Sequence, residues 1–270
     1  MQAIGLIRFS YFTDGGYQIA HKNDAETLAY LYSDARLTQR FAFFEHVCLP
    51  SIRAQTDPDF TVALVTSTNM PAPWRARLEA LVDGVDQIKL LYLPRMNQRD
   101  MSVTVAEMFK VGATDDDWVA HFRLDDDDAI GRSFIADTRR RARRICRLAD
   151  MDRRVGLDYD CGFVVSPRAD GMHAAQVFKR NWTPAQIVFL RQKDFRTIMH
   201  FPHHILDQKM PVVTIPRPPM FIRSVNDFND SGTTDFRRPI PPMTAELAQT
   251  VRDKFDVDLY ALQEAAQDFI

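Results

Sequence analysis

Apolar positions along this chain fall into short continuous runs, separated by stretches with helical spacing. Residues 3–9 form the first run, and 60–66 and 87–93 repeat it. Runs of this length suit strands buried on both faces. Between the first two, residues 38–54 place Phe41, Phe44, Val47, Cys48 and Ile52 on one helical stripe. Residues 71–82 predict a helix opened by proline, whose missing N–H has no intrahelical partner in a first turn. Another helix is predicted over 102–111, and residues 117–124 alternate like a strand entering a core. Strand and helix thus alternate as far as a fourth strand, which predicts βαβ units and a mostly parallel sheet in an α/β fold. The polar, Gly-containing stretch 13–34 is predicted to be a long loop, of a length usually reserved for function.

The pattern changes after residue 128. A very basic helix is expected over 134–150, then strands over 155–159 and 162–166. Residues 170–243 are rich in proline and aromatics and are expected to be irregular, whereas 244–269 space Leu247, Val251, Phe255, Leu259 and Leu262 as a helix. The expected organisation is one domain over 1–243, with halves 1–128 and 129–243, followed by a C-terminal helix over 244–270.

Composition narrows the functional classes. At 46% hydrophobic over 270 residues, the chain can bury one large core. Its 34 basic and 36 acidic residues nearly cancel, which argues against wholesale nucleic-acid binding. The N-terminus has no basic leader, and no apolar run approaches the roughly 18 residues of a membrane span, so a soluble protein is expected. Cys48, Cys146 and Cys161 are odd in number and lack any CxxC or zinc spacing. They predict reduced, buried thiols and a cytoplasmic location.

The strongest chemical signal is Asp125-Asp126-Asp127-Asp128, directly after the strand 117–124. Four adjacent carboxylates repel one another and need solvent or a cation. A solvated turn capping a helix that begins near Ile130 accounts for Asp128, but not for the whole run. Asp125 and Asp127 point to one side of an extended segment and are the expected metal pair. Their hard oxygens suit Mg²⁺ or Mn²⁺, which in turn suit diphosphates. In open α/β sheets ligands lie at the carboxyl ends of strands, where Arg8-Phe9-Ser10 also fall.

Several stretches are similar to the putative rhamnosyltransferase family of bacteria. They are Arg8-Phe9-Ser10, residues 45–57, the RLDDDDA phrase 123–129, Cys161-Gly162-Phe163 and residues 219–231. The resemblance implies a GT-A-like, Rossmann-type sheet flanked by helices, with an acceptor-side second half. It implies a metal-dependent glycosyltransferase that moves a sugar from a nucleotide-sugar donor to a glycan or lipid-linked acceptor. Asp125 and Asp127 would then hold Mn²⁺ or Mg²⁺. Arg8, Phe9, Ser10, Arg99, Asp100, Arg123 and Asp126 would contact the donor, although Arg99 and Asp100 also suit an exposed polar turn. Enzymes of this type often add a late metal-binding histidine. Here residues 226–231 offer only Asn226, Asp227 and Asn229 as oxygen ligands. Asp207, 80 residues after Asp127, is roughly where such enzymes place the base for an acceptor hydroxyl, although it also suits an ordinary surface or N-cap aspartate.

The remaining candidates concern the acceptor and a surface. Trp182 either stacks on a sugar or belongs to the core. His203 and His204 are expected at the acceptor or in plain packing, because Pro202 interrupts the helix that a zinc site with His200 would need. The arginines at 139, 140, 141, 143, 144 and 147 read first as a solvated helix face. Their second reading is a peripheral contact with anionic membrane. The alternative to an enzyme is a non-catalytic transferase relative, or a membrane-surface module with a structural cation.

Overall fold

The computed structural model describes residues 1–14, 23–109, 117–149, 154–226 and 239–270. In its first part the chain runs β1 (Gln2–Arg8), α1 (Asp24–Leu31), α2 (Asp34–Phe43), α3 (Leu49–Arg53), β2 (Thr61–Ser67), α4 (Ala72–Val82), β3 (Ile88–Leu93), α5 (Gln98–Phe109) and β4 (Trp118–Asp125). It continues with β5 (Ala129–Ile130), α6 (Phe134–Ile145), β6 (Arg154–Tyr159), β7 (Cys161–Arg168), β8 (Gly171–Phe178), β9 (Gln186–Arg191), β10 (Val212–Ile215), β11 (Phe221–Ser224), α7 (Ala245–Phe255) and α8 (Leu259–Ala266).

Seven strands form the main sheet in the order β10-β6-β9-β4-β1-β2-β3, so the acid run ends its middle strand. Only β9 runs against the others, which makes the sheet mostly parallel as the apolar runs predicted. The β1–β4 register sets Arg8 beside Asp125. A second sheet, β5-β11-β7-β8, returns β11 to the region of the acids. The predicted stripe over 38–54 is helical but not uniform. A wider π turn spans Phe44–Cys48 just ahead of Pro50, whose ring and missing N–H interrupt a regular ladder. Phe9, Phe41 and Phe44 meet edge to face at 4.8 and 5.4 Å and seat this helix on β1.

Three expectations are corrected. The predicted loop over 13–34 contains α1, whose Asn23 side chain caps it by accepting from the Glu26 amide at 2.9 Å. Residues 15–22 of that stretch lie outside the described residues. The stretch 170–243 is not irregular, since it supplies β8, β9, β10 and β11. These strands are short and partly antiparallel, so proline and polar residues between them masked the pattern. The expected C-terminal helix is two helices, divided at Asp256, which takes a left-handed φ of 64°. Phe255, Leu259 and Leu262 pack with Phe163, Val165 and Phe43, covering the second sheet.

Gly162 on β7 lies against β11, and a Cβ there would stand 2.4 Å from the Phe221 carbonyl oxygen. Backbone cannot yield as a flexible side chain can, so Gly162→Ala should cost about 1–3 kcal/mol and lower the melting temperature by several degrees. A thermal melt with the wild-type midpoint would contradict this packing.

Candidate functional site

The site assembles where β1, β4 and β11 end. Beyond Asp125 the chain turns tightly, with the Asp128 amide donating to the Asp125 carbonyl at 3.1 Å. This turn brings three of the four carboxylates to one side and sends Asp126 to the other. Ligand oxygens of Asp125, Asp127 and Asp128 all lie within 4.8 Å of one another. Asp126 turns the other way. It is fully buried and ion-paired with Arg40 on α2, whose Nε donates to it at 2.8 Å.

Arg223 on β11 balances the cluster. Its Nη1 donates to Asp125 at 2.9 Å and to Asp128 at 2.6 Å, and the Ser224 amide donates to Asp128 at 3.1 Å. Asn226 Nδ2 donates to Asp127 at 2.9 Å. Burial opposes the charge on Asp125, yet Arg223, Arg123 and Arg8 together hold its carboxyl well below the usual range. Arg223 thus holds two of the three carboxylates at the carboxyl edge of the sheet, while the charges of Arg123 and Arg8 act on Asp125. A divalent ion bound by oxygens at about 2.0–2.6 Å spans ligand separations of this size, so the triad fits a hard metal.

Asp128 corrects the sequence reading. It caps no helix, because α6 begins at Phe134 after Ser133, and Ala129–Ile130 pair with β11 instead. It joins Asp125 and Asp127 in the triad. Asp125 and Asp127, the expected metal pair, both fall in the triad, whereas Asp126, expected at the donor, is committed to Arg40. Phe9, also expected at the donor, is fully buried among Phe41 and Phe44. Ser10 is buried with a positive φ of 46°, its Oγ accepting from Arg36 Nη1 at 2.8 Å. Nothing local in the sequence marked Arg36, Arg40 or Arg223, whose partners lie 26, 86 and up to 98 residues away.

Loops at the ends of β1, β2 and β3 are stitched into one surface. The Phe12 amide donates to Ser67 Oγ at 2.7 Å, and the Tyr11 hydroxyl donates to the Pro94 carbonyl at 2.6 Å. Arg99 and Asp100 are exposed in the first turn of α5, where Asn97 accepts from both their amides. This capped helix start is the polar turn that their sequence also suited.

Trp182 is corrected from the acceptor to the core. It is only 8% exposed, meets Phe221 edge-on at 5.7 Å and carries Lys179 over its ring. His203 is half-buried and His204 exposed. Arg123 Nη2 donates to His203 Nδ1 at 2.9 Å and to Thr183 Oγ1 at 2.9 Å, tying β4 to the second half. Accepting that bond requires Nδ1 to be unprotonated. Burial and the Arg123 charge lower the His203 pKa from 6.5 to about 4. An imidazole NMR titration should therefore have its midpoint near 4, and a midpoint near 6.5 would contradict the contact. Between those values the unfolded chain binds the extra proton, so stability should rise with pH, and His203→Gln should flatten that rise. Asp207 is exposed within the 3₁₀ segment His203–Gln208, and Asp158 has its pKa raised to about 6 by burial first, with smaller contributions from the charges of Asp160 and Asp207. Of the expected late oxygen ligands, Asp227 and Asn229 lie outside the described residues, and Asn226 donates its amide N–H to Asp127. All three cysteines are free and buried. Among the described residues no helix is long and apolar enough to cross a membrane.

A family model described as putative rhamnosyl transferase matches residues 2–238. Among solved structures, residues 1–349 of S. aureus TarS in complex with UDP-GlcNAc are similar at 10% identity and a TM-score of 0.45. That likeness covers 100% of this chain and 71% of the other. A longer S. aureus TarS structure matches at 11% identity and TM-score 0.41, over 100% of this chain but only 43% of its own length. Curated protein sequences gave no match.

Proposed function

Because the chain belongs to the putative rhamnosyl transferase family, we propose that it transfers a sugar, rhamnose, from a nucleotide-sugar donor to a hydroxyl of a glycan or lipid-linked acceptor. The observation that carries this reading is the Asp125, Asp127 and Asp128 triad, ringed by arginines at the end of the central strand. Mn²⁺ or Mg²⁺ held there would neutralise the diphosphate as it leaves. Asp125 and Asp127 supply the outward ligands, and Asn226 orients Asp127. Arg8 and Arg123 bind donor phosphate oxygens, a role that suits the planar guanidinium. The joined loops around Ser10 and the start of α5 at Arg99 and Asp100 take the nucleoside. Asp207, exposed in the segment that also carries His203 and His204, removes the hydroxyl proton. Residues 1–128 would serve the donor and 129–243 the acceptor, in a cytoplasmic enzyme with 244–270 as its bracing tail.

A second reading has one observation behind it. Arg223 already bridges Asp125 and Asp128, so a non-catalytic relative would need no metal to neutralise its acids. A thermal-shift screen of nucleotides and nucleotide sugars, with and without Mn²⁺, separates the two. The enzyme reading predicts a melting temperature raised by one donor and raised further with Mn²⁺, by mass action. No response to any donor under either condition would support the non-catalytic reading.

A further inference from the structure

At the opposite edge of the sheet, α6 and the first residues of β4 enclose a groove of about 410 Å³. Trp118, Arg143, Arg147 and Arg191 line it, with Met1 at its border. The arginines of α6 and of the 3₁₀ turn that continues it over Cys146–Ala149 are not equivalent. Arg139 is engaged by Asp57 at 3.1 Å and Asp59 at 2.8 Å, and Arg140 and Arg141 share Asp137. Arg143 and Arg147, exposed and one helical turn apart, have no carboxylate partner among the described residues. Arg191 lies flat over Trp118, 3.9 Å from its ring centroid, giving the groove a cationic aromatic wall.

Two features point to a lipid surface rather than to a dissolved anion. Large apolar side chains accompany these arginines in the open. Met1 is 40% exposed, and Leu148, directly after Arg147, is 57% exposed. Arginine forks match phosphate oxygens, while amphipathic aromatics and exposed aliphatics suit the headgroup boundary. We propose that this edge docks on an anionic phospholipid bilayer, with a headgroup phosphate held between Arg143, Arg147 and Arg191. The eight-residue β4 separates the groove from Asp125 by roughly 23 Å. On the transferase reading above, docking would turn the acid triad away from the bilayer. An acceptor hydroxyl must then stand well clear of the headgroups, as on an extended glycan.

The test is co-sedimentation of the full chain with phosphatidylcholine vesicles, with or without about one-third phosphatidylglycerol. Binding should need phosphatidylglycerol and weaken with salt. The Arg143→Glu/Arg147→Glu variant should lose it by more than about tenfold, with an unchanged melting temperature. Equal binding to both vesicle types, wild-type binding by the variant, or displacement by millimolar inorganic phosphate at constant ionic strength would overturn the proposal. The donor response of the same variant reports separately on the transferase reading. A donor failure in wild type would leave the vesicle result intact.

Discussion

Replacing Asp127 with alanine should lower donor turnover by about a thousandfold or more, the scale on which preorganised charge stabilisation acts at a reacting diphosphate. Asp127 suits this test better than its neighbours. Asp125 and Asp128 are ion-paired with Arg223, so their loss would also free a buried cation. Among the described residues Asp127 accepts from Asn226, and it is buried in a crowd of like charges. Removing it relieves repulsion and should leave the melting temperature at or above that of the wild type. Release of nucleoside diphosphate, with or without acceptor, reads the effect. A rate within tenfold of wild type would remove Asp127 from the proposed chemistry.

Replacing Arg40 should have the largest effect on stability. Asp126 is completely buried, and the Arg40 guanidinium grips both of its oxygens. Truncating Arg40 to alanine leaves that carboxylate uncompensated, at a cost of about 3–5 kcal/mol. At about 2–4 °C per kcal/mol for a domain of this size, the midpoint should fall by ~10 °C. Arg40→Ala/Asp126→Asn should recover much of this, because the second change removes the stranded charge. Additive losses in the double variant would mean that the pair does not brace the acid run. That bracing matters to function, since Asp126 anchors the turn from which Asp125, Asp127 and Asp128 project.

The parallel half of the sheet was legible because β1 and β2 are apolar runs buried on both faces, β3 is an apolar run at the sheet edge, and β4 alternates into the core. The acid run was legible as chemistry because a strand of that type ends in charges that need a cation. Asp128 was misread for want of long-range information: its partners Arg223 and Ser224 lie 95 and 96 residues away. Local spacing could offer it only a helix cap. Phe9 and Trp182 fell beside plausible polar loops, yet burial of a large aromatic surface decided their places. The family resemblance found the activity class, which periodicity alone did not reach. It carried no sign of the arginines Arg36, Arg40 and Arg223, which hold the site together.

The central claim is that the triad binds a donor diphosphate through a divalent metal. Calorimetric titration of the donor identified by thermal shift, into wild type and Asp127→Ala with and without Mn²⁺, measures this most directly. Wild type should bind tightly only with Mn²⁺, and the variant should lose that metal dependence. Mn²⁺-dependent binding of equal strength in Asp127→Ala would contradict the claim.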